Sequence, residues 1–221
     1  MVHLLLTIPF VNFAQGEKIL SKHLHNYGQE TWSQIETLKI SGKHVTSDYE
    51  AFPLEVLVKE NNQIRVEGIN RYKGYTLALD HQVFWSTGSP EEVQPLEKLI
   101  LQHAIAIGSP LAKFQSELKY YGLEIFDGKP LNSFKRETEG FTVTYFLDKE
   151  NNELRHITIV TMDKEPISAT LTIDKYKSHH GLLMPTAINL QVEDQYYEWV
   201  FDEILLGIAI DHQLFVRPNN Q

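Results

Sequence analysis

The sequence contains no cysteine. Disulfides, thiolate metal sites and cysteine nucleophiles are therefore excluded, and the redox compartment is left open. Basic residues are also in short supply: 20 Lys and Arg stand against 29 Asp and Glu, a net charge of −9. That balance disfavours nucleic acid and anionic lipid surfaces as partners, since both select for basic faces. No apolar run is long enough to span a bilayer. The longest, from Val2 to Gln15, is interrupted by Pro9 and Asn12, so an integral membrane protein is not expected. The catalytic signatures are missing as well: there is no G-x-S-x-G, G-x-G-x-x-G, P-loop, S-x-x-K or H-E-x-x-H. Nothing in the chain points to an enzyme, a cofactor or a metal.

At 221 residues with 42% hydrophobic and 22% charged side chains, the chain is an ordinary globular one, able to bury a substantial core. The run ending at Ala14-Gln15, before the polar Gly16-Glu17-Lys18, has the shape of a secretory apolar region and cleavage site but lacks a basic start. Residues 1–15 thus read as a truncated signal peptide, with a buried N-terminal strand as the alternative. Residues 16–221 show no low-complexity linker and read as one domain.

Leu20, Leu24 and Tyr27 fall at helical spacing before Gly28, which predicts a short helix over Glu17 to Tyr27. The period then changes to two. Leu38 and Ile40, then Phe52, Leu54, Val56 and Val58, alternate with polar neighbours. After Asn61-Asn62 come Ile64 to Glu67, Tyr75 to Leu79 and Val83 to Trp85, an antiparallel meander with no helix inside it. Ser89-Pro90-Glu91-Glu92 is a helix start with proline in the first turn and carboxylates at the positive end. Helical patterns follow up to Gly108 and again from Pro110 to Tyr121. Strands resume at Leu123 to Phe126, Phe141 to Leu147 and Leu154 to Met162. Thr170 to Tyr176 and a second run, Leu182 to Pro185 leading into Thr186 to Val192, form a hairpin joined through Lys177 to Gly181, and Tyr196 to Leu205 adds a last long strand. The fold class is mainly β (α+β): a strongly curved antiparallel sheet of nine to eleven strands forming an incomplete β-barrel, with helices covering its concave face.

Ten histidines invite a metal reading, but their spacing opposes it. His23 and His25 point to different faces of a helix, and His179-His180 diverge in a turn. The acidic pairs Glu91-Glu92 and Asp202-Glu203 fit solvated faces better than acid–base catalysis. Aromatics on both sides of the helical insertion leave two readings open: a filled core, or an apolar cavity under the helices.

The order of elements resembles the outer-membrane lipoprotein-sorting proteins, the LolA/LolB-like periplasmic carriers. The matching segments are Ile19 to Gly28, Leu38-Lys39-Ile40-Ser41-Gly42, Asp80-His81-Gln82-Val83-Phe84-Trp85 and Phe146-Leu147-Asp148. The hairpin adds Asp174-Lys175-Tyr176 and Gly181-Leu182-Leu183-Met184-Pro185, and Phe215-Val216-Arg217-Pro218 looks like the family's closing strand end. The sequence departs from the family at Asp80-His81 and at His179-His180, both in turns. No family arginine aligns onto Arg65 or Arg71.

The resemblance implies a non-catalytic periplasmic carrier that holds acyl chains of lipoproteins or lipids in an apolar cavity. The wall residues expected from the first meander and the helix are Leu54, Val56, Leu77, Leu79, Trp85 and Leu99. The second half is expected to supply Tyr145, Leu171, Ile188 and Trp199. The helices from Glu91 to Tyr121 are expected to form a movable lid, with Gly108 and Gly122 as hinges. The alternative is a sensor or interaction domain of the envelope, with the same sheet, a filled cavity and a protein partner.

Overall fold

A computed structural model describes residues 8–60, 62–70, 73–87, 94–138, 140–164, 166–179 and 181–218. Two helices, α1 (Ile8–Tyr27) and α2 (Gln29–Trp32), precede a meander of β1 (Thr37–Thr46), β2 (Ala51–Lys59), β3 (Gln63–Asn70), β4 (Lys73–Asp80) and β5 (Val83–Ser86). Then come α3 (Gln94–Ala104) and the short α4 (Pro110–Lys113). A second meander follows, with β6 (Lys119–Phe126), β7 (Lys129–Thr138), β8 (Phe141–Asp148), β9 (Leu154–Thr161) and β10 (Ser168–Thr172). The chain continues through β11 (Tyr176–His179), β12 (Leu182–Pro185), β13 (Ala187–Val192) and the long β14 (Gln195–Leu206).

Twelve strands form one antiparallel sheet in the order β5-β4-β3-β2-β1-β14-β13-β10-β9-β8-β7-β6. The two meanders are stitched together by β14, which pairs with β1 from Leu38↔Leu206 to Thr46↔Tyr197 and with β13 from Ala187↔Val200 to Val192↔Gln195. Strands β5 and β6 form the two ends, so the barrel is open. One alternating face carries the apolar residues of nearly every strand, the expected outcome where period two meets one covered side. Those residues divide into two cores. One, under α1, α3 and α4, holds Phe134, Tyr145, Leu147, Ile157, Leu171 and Ile188. The other, under α2 and the far end of α3, holds Leu38, Leu54, Val56, Ile64, Leu79 and Trp199.

The expected pairing of Thr170 to Thr172 with the strand before Val192 is present, as Thr170↔Gln191, Leu171↔Leu190 and Thr172↔Asn189. The link between them is more than a turn. It is a second hairpin, β11–β12, paired from Tyr176↔Pro185 to His179↔Leu182 and standing apart from the main sheet. This hairpin closes on the helices: Gly28 takes a left-handed φ of 77°, and a Cβ there would lie 2.8 Å from the carbonyl oxygen of Gly181. Tyr27 and Tyr176 meet edge to face at 5.8 Å, and the Tyr176 hydroxyl donates to the carbonyl of Leu154 at 2.7 Å. The segments that carried the family resemblance at Tyr27-Gly28, Tyr176 and Gly181 therefore meet in space.

Several expectations need correction. The first helix is longer than Glu17 to Tyr27, beginning at Ile8 and running through Gly16. Residues 1–7 of the apolar N-terminal run lie outside the described residues. A Cβ on Gly16 would come 2.5 Å from Cβ of Tyr120, so this glycine lets α1 lie flush against β6. The helical pattern from Pro110 to Tyr121 is only partly helical. Ser109 caps α4 by accepting from the Leu111 N–H at 3.2 Å, but a 3-10 turn at Gln115–Glu117 ends it and Lys119 starts a strand. Gly122 consequently lies in β6, at an irregularity of its pairing with β7, rather than at a helix hinge. Phe215 to Pro218 are not strand but a tail following a 3-10 turn at His212–Leu214. The role of closing strand belongs to β14. The helix start read at Ser89 to Glu92 falls outside the described residues, as do Arg71 and His180.

Candidate functional site

Between the two cores, α3 and the sheet leave a cleft of about 970 Å³. Its roof is the first half of α3, with Pro95, Leu96, Glu97 and Ile100. Its walls come from both meanders. Tyr75 and Leu77 stand on β4, Leu190 and Val192 on β13, and Tyr197 and Trp199 on β14, with His44 of β1 beside them. Apolar area predominates in the lining, and the volume lies at the upper end for small-molecule sites.

Two polar members of the cleft wall hold each other in place. The Tyr75 hydroxyl and Nδ1 of His44 share a hydrogen bond of 2.8 Å, and the two rings meet edge to face at 5.7 Å. Gly68, on the neighbouring β3, makes room for this. A Cβ there would fall 2.5 Å from the Tyr75 ring and hydroxyl, so any side chain would push Tyr75 off His44. Burial lowers the pKa of His44, favouring the neutral ring.

The ten predicted wall residues are distributed unevenly. Leu77 and Trp199 line the cleft. Leu54, Val56 and Leu79 pack in the core beneath α2, and Leu99, Tyr145, Leu171 and Ile188 in the core beneath α1 and α3. Trp85 is on the other face altogether. Its cross-strand partner is Ala78, whereas the inward Leu79 pairs with Phe84. The Trp85 Nε1–H donates to the carbonyl of Phe215 at 2.8 Å, beneath the C-terminal tail, and the Arg65 guanidinium lies 5.4 Å over its ring. The alternation of the four-residue strand β5 was the available signal, but it cannot say which of its two faces is inward. Leu190, expected like Leu171 and Ile188 to face a cavity or core, does line the cleft, whereas sequence reasoning did not place His44, Tyr75, Leu96 and Ile100 in its wall. Tyr75 began an expected strand and Ile100 fell within the expected helical pattern before Gly108, yet only the fold brings them together.

The other buried histidines act as fasteners. His23 on α1 donates from Nδ1 to the carbonyl of Asn152 at 2.7 Å and bonds Ser109 Oγ through Nε2 at 2.7 Å. Since a carbonyl can only accept, the neutral ring carries its proton on Nδ1 and takes the Ser109 hydroxyl proton in a hydrogen bond at Nε2. His103, at the buried end of α3, shares a 2.8 Å hydrogen bond with the Tyr145 hydroxyl. Burial pulls His23 down to about 4, and burial with Arg136 and Lys113 nearby pulls His103 down to about 3. Among the described residues no group of three or more metal-ligating side chains comes together. Asp202 and Glu203 are exposed, Asp202 lying 3.8 Å from Lys43. Among the described residues no helix is long and apolar enough to cross a membrane.

No protein-family model matches the sequence, and no curated protein matches it. Solved structures do match in shape. A LolA superfamily protein from Nitrosomonas europaea superposes with a TM-score of 0.59 at 13% identity, over 91% of this chain and 97% of that one. A domain described as an outer membrane lipoprotein-sorting protein from Vibrio parahaemolyticus gives 0.56 at 10% identity, over 90% and 94%. At such identities the likeness is one of fold, and it agrees with the open twelve-strand sheet, its covered inner face and the order of its elements: this chain has a LolA-like fold.

Proposed function

We propose that this protein is a non-catalytic periplasmic carrier that holds acyl chains of lipoproteins or lipids in the cleft beneath α3. The observation that carries the reading is the cleft's position. It runs along the seam between two finished cores, walled by Leu77, Leu96, Ile100, Leu190 and Trp199, so a chain entering it gains apolar contact without disturbing either core. Magnitude sets a condition on such a carrier. At about 0.8 kcal/mol per methylene, a sixteen-carbon chain fully buried gains roughly 12 kcal/mol before costs, which would make release slow. An open cleft that buries only part of the chain meets that condition. A fluorescent neutral acyl probe is expected to bind with a blue shift. Leu77→Arg should weaken binding at least about tenfold by placing a charge in the apolar wall, while Trp85→Phe on the outer face should leave it unchanged. A probe that fails to bind wild-type protein overturns the carrier reading.

The lid, in this proposal, is the first half of α3. Its Pro95, Leu96, Glu97 and Ile100 face the cleft, while Leu101 and His103 are fully buried at the other end. Gly108 is a poor hinge, because its left-handed backbone is pinned by Gln29, whose Oε1 accepts from the Ser109 N–H at 2.9 Å. Hydrogen exchange is expected to be faster for amides near Leu96 to Ile100 than in β14, and to slow when the probe binds. Exchange in that half-helix as slow as in β14, and indifferent to probe, would remove the lid.

A second reading, an envelope interaction domain with a protein partner, draws on the end strand β6. Its Tyr121, Leu123 and Ile125 are 54%, 50% and 72% exposed along one stripe. The same probe experiment separates the two readings.

A further inference from the structure

The cleft's polar groups restrict which amphiphile fits it, and this inference rests on the carrier reading above. Two independent features bear on the choice. The first is His44. It is 6% exposed, it stands in the cleft wall, and its Nδ1 is used by Tyr75 while its Nε2 has no hydrogen-bond partner among the described residues. A buried ring nitrogen left unsatisfied costs on the order of 1–3 kcal/mol, which a polar group of an occupant in hydrogen-bond reach would recover. The second is charge. Among the described residues lining the cleft, Glu97, Asp163, Glu193 and Asp194 are acidic and Lys73 is the one Lys or Arg. Glu193 is held in place, with Oε1 accepting from the Ser168 N–H at 3.1 Å, a neutral partner that leaves its charge in force. Asp163, Glu193 and Asp194 are exposed and so belong to the rim rather than to the apolar interior.

We infer that the cleft selects a single-chain or chain-bearing amphiphile with a cationic, amine-type head at the acidic rim and an ester- or amide-type junction that hydrogen-bonds His44 Nε2. The two halves of the recognition are of different kinds. An acidic rim lowers the potential at the mouth and attracts a cation over a Debye length, about 8 Å at physiological salt, while it repels a carboxylate or phosphate head with no compensating amine. The histidine reads the junction instead. With Nδ1 accepting from the Tyr75 hydroxyl, the neutral ring carries its proton on Nε2 and donates it to an ester or amide carbonyl; in the other tautomer Nε2 accepts from an amide N–H. A saturated hydrocarbon passing the same point leaves Nε2 as it is.

Competition against the neutral acyl probe tests this with three twelve-carbon ligands used below their micellar concentrations: lauroylcholine (ester and cation), dodecyltrimethylammonium (cation alone) and dodecanoate (anion). Lauroylcholine is expected to displace the probe at a concentration at least about tenfold lower than dodecanoate. That gap should shrink in about 1 M salt, where screening shortens to ~3 Å. The double variant Glu193→Gln with Asp194→Asn should narrow the same gap. His44→Phe should bring lauroylcholine to the level of dodecyltrimethylammonium. If dodecanoate competes as well as lauroylcholine while the probe itself still binds, the head selectivity is wrong and the carrier reading stands. If His44→Phe leaves the ester's advantage intact in a variant that binds the probe normally, the junction assignment is wrong. A wild-type protein that binds neither the probe nor any of the three ligands overturns both.

Discussion

Acidification from neutral pH to about pH 4 is expected to remove on the order of 3 kcal/mol of stability for each of two histidines, His23 and His103. Both are almost completely buried and held neutral in the folded chain, with pKa values lowered to about 4 and about 3. In the unfolded chain each titrates near 6.5. Above that pH neither state binds the proton, and their contribution is complete. Below it the unfolded chain takes up protons that the folded chain refuses, so stability falls as pH falls, from about 6.5 down to the folded-state values. Together the two losses are comparable with the whole stability of many domains. Asp80, kept low chiefly by the Gln63 amide and by His81, acts below this window. Urea midpoints measured at pH 7, 5.5 and 4.5 should show the decline. The double variant His103→Leu with Tyr145→Phe, which deletes both partners of one buried hydrogen bond, should cost little at pH 7 and have a visibly shallower slope. A wild-type slope in that variant would take His103 out of the account.

The second large effect lies at Gly42. The pairing of β1 with β14 changes register between Ser41 and Gly42, and the bulge presses β14's backbone against this glycine. A Cβ there would sit 2.0 Å from the carbonyl oxygen of Val200, with no flexible side chain to give way. Gly42→Val should therefore cost about 3 kcal/mol or more, since the adjustment must come from the backbone of a ladder in the link between the two meanders. Ser41→Ala, one residue away, should stay within about 0.5 kcal/mol. Thermal or urea unfolding of the two variants side by side is sufficient, and similar midpoints would show that the bulge yields cheaply.

Much of the architecture was legible before any coordinates, for a physical reason. β1, β3 and β9 each bury chiefly one face, so alternation is printed in their sequences, as in Leu38 and Ile40, Ile64 and Val66, or Ile157 and Ile159. Strand β7 escaped because Leu131, Asn132, Ser133 and Phe134 are all buried. With both faces covered and half the positions polar, no period of two survives. The stretch Leu111, Phe114, Leu118 and Tyr121 imitates a helix stripe, but Tyr121 belongs to an outward face of β6, and pairing with β7 outweighs local spacing. The site was less legible than the fold. Leu77 and Trp199 could be named from inward-facing strands, but whether an inward residue meets a void or a neighbour depends on where α3 crosses the seam. No single-strand pattern encodes that crossing. Trp85 shows the same limit more sharply, since the tail at Phe215 turns an outward position into a buried one.

The unpaired flanks at β5 and β6 have a mechanical consequence for a container. A closed barrel has a girth fixed by its strand count and stagger, and it can swell only by breaking a ladder. In this protein the circumference is interrupted, and β14 carries the two meanders like the spine of a book whose covers are β5 and β6. Small changes in twist spread over eleven intact interfaces can widen or narrow the space between the covers, at the cost of side-chain repacking alone. Under the proposed carrier role, occupants of different bulk would be accommodated without a different set of backbone hydrogen bonds for each.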